Sequence, residues 1–162
     1  DIVLIDLGGN DAKPEQERKT FDRYARPLLS NGEVLKMKRF PQHGRVSCLE
    51  HSVSVARLSF WMCRRLHMPA DLQSLVRGAL LHDFFLYDWH CEHRDAGLHG
   101  FTHPTTALKN ADRLFSLNER ERDIILRHMW PLTPHPPRCR EAFVVCLADK
   151  CCSLRETLFC RR

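Results

Sequence analysis

A chain of 162 residues, 43% hydrophobic and 28% charged, is long enough to bury a core of its own, and no apolar run in it approaches the ~20 residues that a membrane span needs. The formal charge of +5 is modest, and the basic residues fall in scattered pairs (Arg64 and Arg65, Arg120 and Arg122, Arg138 and Arg140, Arg161 and Arg162) without interleaved aromatics. That pattern argues against a nucleic-acid platform and leaves either a solvated surface or an attraction for a negatively charged substrate. Eight cysteines form no C-x-x-C pair, and Cys48, Cys63, Cys146, Cys151 and Cys152 fall within apolar helical patterns. Free thiols in a reducing cytoplasm are the expectation.

Taken in order, residues 1–13 say little: Gly8-Gly9 lacks the Lys-Ser/Thr that a phosphate loop requires. Pro14 stands at the head of a charged segment, Glu15 to Leu29, that ends at Ser30-Asn31-Gly32, the asymmetry expected of a helix. The segment from Glu33 to Gly44 reads as a connection, since Pro41 breaks any helix there. From Ser47 to Leu66 the apolar positions Cys48, Val55, Leu58, Met62 and Leu66 recur at helical spacing, and Trp61 is expected in the core. Asp71 can cap a further helix whose stripe is Leu72, Leu75, Val76 and Ala79. Leu86 to Thr102 is polar and rich in His and reads as a loop. Pro104 opens the next helix, with Ala107, Leu108, Ala111 and Leu114 on one face, and Asn118 caps another, with Ile124 and Ile125 inward. "WPLTPHPPR" is too rich in proline for helix, and a last helix runs from Arg138 to Phe159. The chain is therefore expected to be all-α, with an N-terminal segment, 1–40, carrying one helix packed on a main domain, 41–162.

The residues with chemistry sit on the wrong side of these helices. His51 shares a face with Val55 and Leu58. His82 and Asp83 close the second stripe, His103 stands at the mouth of the helix after it, His128 follows Ile124 and Ile125 by a turn, and Asp149 follows Val145 by a turn. A buried imidazole or carboxylate costs several kcal/mol unless paired or bound to metal. One such residue is unremarkable, but several helices each offering one point to a shared partner. Imidazole with carboxylate suits Fe, Mn, Zn or Ni.

The order His51, His82-Asp83, Asp149, in the settings "LEHSVSVARLS", "GALLHDFF" and "VCLADKCCSL", resembles the HD domain of metal-dependent phosphohydrolases, over about Gln42 to Leu158. The resemblance implies an all-α HD-domain helical bundle. It implies a first metal held by His51, His82, Asp83 and Asp149. His103 and His128 stand where the binuclear branch carries further ligands, so a second metal would be held by them with Asp83 bridging. One or two divalent transition metals (Fe, Mn, Zn or Ni) would activate water against a phosphoester or phosphoanhydride, with Asp83, His103 and His128 as the catalytic set. The expected partner is a small phosphorylated substrate, a nucleotide first among them, with neither membrane nor nucleic acid.

The sequence also departs from the family. His128-Met129 stands where many binuclear relatives carry His-His, the GYP signature is missing, and no Lys follows the His-Asp pair within Phe84 to Asp88. Contacts to substrate must then come from elsewhere. His43 and Arg45 in "PQHGR", His99, Lys150 and Arg155 are the candidates, with Asp88, His90 and His93 as candidate acids in the loop and Trp89 and Trp130 as surfaces on which a base could stack. Two other readings stand beside hydrolysis: a silent HD module that binds a nucleotide or a protein partner, and an HD-like di-iron oxygenase.

Overall fold

Seven helices and one small hairpin account for the regular structure among the described residues, 12–88 and 99–159, of the computed structural model. In chain order they are α1 (Ala12–Leu29), α2 (Gly32–Leu35), a 3-10 turn (Lys36–Arg39), β1 (Pro41–His43), β2 (Val46–Ser47), α3 (Cys48–Arg65), α4 (Leu72–Leu81), α5 (His99–Leu114), α6 (Glu119–Arg127) and α7 (Arg140–Phe159). The expectation of an all-α bundle is met.

Local chemistry sets the starts. Ser47 and Glu50 form a capping box on α3, and Asn118 and Glu121 form another on α6. Asp71 caps α4 by accepting from the Ser74 amide at 3.1 Å. Asn31, read as part of a helix end, also begins a structure of its own: its side chain caps the single turn of α2. The presumed connection after Gly32 is thus α2, the 3-10 turn and the antiparallel hairpin β1–β2, whose turn Gly44 makes with φ 60°.

α4 is the central element and packs against α1, α3, α6 and α7. Leu75, Val76, Ala79, Leu80 and Leu81 are fully buried along it. Gly78 lets α6 come close: a Cβ there would lie 2.6 Å from Ile124 Cδ1. α3 packs on α4 and α7, and α5 packs on α6.

Several expectations need correction. The buried stripe of α3 is Cys48, Leu49, Ser52, Val55, Ala56, Ser59, Phe60 and Cys63, whereas Leu66 is 64% exposed. The true stripe is rotated because Ser52 and Ser59 face inward, and a pattern of apolar residues alone does not include them. Trp61 lies off that stripe and is 45% exposed, not in the core. Leu114 and Cys151 are exposed as well. α5 begins at His99, five residues before Pro104, so the proline lies inside the helix, without the hydrogen bond its amide would have given Gly100. α7 begins at Arg140, because the amides of Arg138 and Cys139 are taken by Asp123 Oδ2 at 2.8 and 3.0 Å.

Candidate metal centre

Asp83 follows the last turn of α4, just past His82 at its C-cap. Three contacts hold this end of the helix. Cys48 Sγ at the start of α3 donates to the Asp83 carbonyl at 3.1 Å. The Asn110 amide of α5 donates to the carbonyls of Phe84 and Phe85 at 3.1 and 3.0 Å. Phe84 and Phe85 are buried and anchor the segment in the core.

The Asp83 carboxylate has two differently populated sides. Oδ2 lies 3.3 Å from His82 Nε2 and 3.8 Å from His51 Nε2, and it accepts a hydrogen bond from Gln42 Nε2 at 2.7 Å. Oδ1 lies 3.2 Å from His103 Nε2 and 3.6 Å from His128 Nε2. Asp149 Oδ1 joins the first side, 3.0 Å from His51 Nε2 and 3.8 Å from His82 Nε2. His51, His82, Asp83, His103, His128 and Asp149 are all buried. The six residues that the resemblance proposed as ligands therefore converge from α3, the end of α4, α5, the end of α6 and α7.

The outward-facing ring nitrogens of His51, His82 and His128 are already committed. His82 Nδ1 donates to the Ala79 carbonyl at 2.7 Å and His128 Nδ1 to the Ile125 carbonyl at 2.8 Å, each one turn back. His51 Nδ1 donates to Glu156 Oε2 at 2.8 Å. Each Nε2 is thereby turned into the cluster, since a hydrogen bond on the outer nitrogen fixes the ring orientation of a metal-ligating imidazole. His128 Nε2 then serves as acceptor, and His103 Nε2 donates to it at 2.8 Å.

The electrostatics follow from this crowding. Burial pushes the Asp83 carboxyl up, but His82 and His103 outweigh it and hold the group well below the usual carboxylate range. Asp149 is lowered in the same way, burial being overcome by hydrogen bonds with His51 and His82. Burial would lower His51, yet Asp149 and Glu156 raise it to about 9. His82 is raised by Asp83 and Asp149 against burial. His128 goes the other way: burial, then His82 and His103, press it down to about 3.

This donor set fits divalent cations. His82 Nε2 and Asp83 Oδ1 are buried and make no hydrogen bond of good geometry with the described residues, which is costly for a polar atom with no further partner. Two groups of donor atoms, from His51, His82 and Asp83 and from Asp83, His103 and His128, each lie within 4.8 Å of one another. Nitrogen and carboxylate oxygen in this proportion suit Fe, Mn, Zn or Ni.

The other candidates are placed differently. Arg45 is exposed beside the hairpin turn. Lys150 Nζ turns to the carbonyls of His128 and Cys146 at 2.9 and 3.3 Å, so it closes the end of α6 and is not extended toward a ligand. Arg155 is half exposed, its Nη2 3.9 Å from Glu156 Oε1. His43 lies on β1 and His99 begins α5, but their side chains lie outside what the structure describes, as do Trp89, His90 and His93 altogether. Trp130 packs beside Phe143, ring centroids 6.4 Å apart.

Two residues of this site escape sequence reasoning. Glu156 carried a signal, since it lies seven residues beyond Asp149 and so on the same face of α7. Gln42 carried none, because its place depends on a hairpin too short to leave a pattern.

Comparison with known proteins gives one match. A family model described as HD domain covers residues 48–154, about two thirds of the chain. No curated protein and no solved structure matches. Among the described residues no helix is long and apolar enough to cross a membrane.

Proposed function

The chain belongs to the HD-domain family, a family typical of metal-dependent phosphohydrolases, and on that premise we propose that it hydrolyses a phosphoester or phosphoanhydride, of a nucleotide in the first instance, with two divalent cations. The observation that carries this reading is the two-sided Asp83 carboxylate, with His82 and His51 near Oδ2 and His103 and His128 near Oδ1. His51, His82, Asp83 and Asp149 would hold one cation, and His103 and His128 would hold the other with Asp83 shared. The cations supply an acidified water and stabilise charge that develops on phosphoryl oxygen. The protein contributes the rest. Carbonyls of Ala79 and Ile125 and the Glu156 carboxylate fix the imidazoles, and the donor residues are buried away from bulk water. A reducing cytoplasm suits the six free thiols among the described residues.

The test is metal content and turnover together. Protein purified without chelator, or reconstituted with Mn(II), is expected to carry close to two ions per chain and to cleave a generic aryl phosphodiester. Asp83→Ala is expected to lose both properties. A metal-free protein that stays metal-free on reconstitution refutes the proposal. Nucleotide binding without turnover in the loaded protein points to the silent module, and oxygen uptake with visible absorption of the iron form points to the oxygenase.

A further inference from the structure

Gln42 is a polar side chain, 7% exposed, that begins neither a helix nor a charge pair. It sits on β1, 41 residues before Asp83, and donates from Nε2 to Asp83 Oδ2 at 2.7 Å. Its orientation follows from chemistry: an ionised carboxylate only accepts, so the amide NH₂ must face it. The other end of the amide, Oε1, is buried and accepts no hydrogen bond from the described residues. A buried amide half unused lowers stability, so the reason for this side chain lies in the half that is used. The hairpin is correspondingly held in place: Cys48 N donates to the Phe40 carbonyl at 2.8 Å, and β1 packs against both α3 and α7.

The contact matters because Asp83 has to present both oxygens at once. Of its described neighbours, only Gln42 gives Oδ2 a short hydrogen bond; His82 and His51 are 3.3 and 3.8 Å away. Rotation about the Cβ–Cγ bond would swing Oδ1 out of line with His103 and His128. The two sides do not suffer equally from that. The His51 side has a second carboxylate, Asp149, whereas among the described residues Asp83 is the only anionic donor grouped with His103 and His128.

We propose that Gln42 is a positioning residue, which locks the Asp83 carboxylate so that Oδ1 completes the His103–His128 subsite. The proposal rests on the two-cation reading above. It makes no use of catalysis in its test, which is a Mn(II) titration of the metal-free full chain by calorimetry with electron paramagnetic resonance at each step. Wild type is expected to bind in two events and to show an exchange-coupled Mn(II) pair when loaded. Gln42→Met, equal in length but unable to donate, is expected to weaken the second event 10–100-fold, to change the first less than threefold, and to lose the coupled signal at stoichiometric metal. Its metal-free Tm should stay within a few degrees of wild type, and Gln42→Ala replaces it if it does not fold. Two events unchanged in the variant, or both weakened alike, overturn the proposal and leave the two-cation reading standing. A single event in wild type overturns that reading, and the proposal with it.

Discussion

His51 donates its Nδ1 proton to Glu156 Oε2 at 2.8 Å, and the two residues are 105 positions apart. The pairing turns Nε2 toward Asp149 and sets His51 apart from His82 and His128, whose outer nitrogens meet carbonyls and not a carboxylate. A carboxylate there raises the basicity of the ring. Glu156→Gln keeps an acceptor and removes the charge. It is expected to weaken the first Mn(II) event 10–100-fold and the second far less, the reverse of the Gln42 variants. Equal affinities in wild type and variant would show the pair to be structural only.

Metal should report itself in stability. An ion that binds only the folded chain contributes about 2.7 kcal/mol at 100 times its Kd, roughly 5–10 °C in Tm for a domain of this size. Thermal unfolding with Mn(II) and then with excess chelator is expected to show that rise and its reversal. In His51→Ala, which removes a donor, the rise should shrink to a few degrees.

Gly78 marks the contact of α4 with α6. Alanine is the better helix former by about 1 kcal/mol, but its Cβ would stand 2.6 Å from Ile124 Cδ1 and 3.0 Å from Ile124 Cβ. Overpacking of this kind costs about 1–3 kcal/mol, and at 2.6 Å the clash wins. Gly78→Ala is expected to lower Tm by several degrees, and Gly78→Ala with Ile124→Val to recover part of it. A more stable single variant would mean that α6 is free to move.

Asp71 ties stability to pH away from the cluster. Partial burial pushes its carboxyl up, but hydrogen bonds from the Ser74 hydroxyl and amide, with Arg120 nearby, leave it lowered from 3.8. A carboxylate lowered in the folded state contributes stability above its unfolded value, and that contribution is lost as pH falls through the folded one. Asp71→Ala is expected to cost about 1 kcal/mol at neutral pH, and the gap from wild type should close below pH ~4. A gap that persists at pH 2–3 in urea titrations would show that the charge of Asp71 plays no part.

What could be read from the sequence was what is encoded locally. Ser47-x-x-Glu50 and Asn118-x-x-Glu121 announce helix starts within four residues, and both form capping boxes. The ligand candidates were legible because a His or Asp on an apolar stripe violates the stripe, and His51, His82, Asp83, His128 and Asp149 each do so. α7 hid its buried acids for the opposite reason. Its acidic residues Glu141, Asp149 and Glu156 are all buried, at spacings of eight and seven, yet acids on a helix are ordinarily read as its wet side. Glu141 accepts from the Asp71 amide at 2.7 Å and Glu156 from His51, so each is satisfied by a partner at least 70 residues away, which no local pattern contains. The hairpin was invisible because strands of three and two residues show no alternation.

The spread of the cluster along the chain also sets an order of events. His51 and Asp149 are 98 positions apart, and α7 supplies both Asp149 and the Glu156 that orients His51. While the ribosome is still adding residues up to 140, the chain already holds His51, His82, Asp83, His103 and His128 but has no closing helix. A cation that arrived then would find loose imidazoles and one carboxylate, open to exchange with any competitor. Only when α7 docks do Asp149 and Glu156 join the other donors, so a metal held by the full set would be selected by the finished pocket and not by the growing chain.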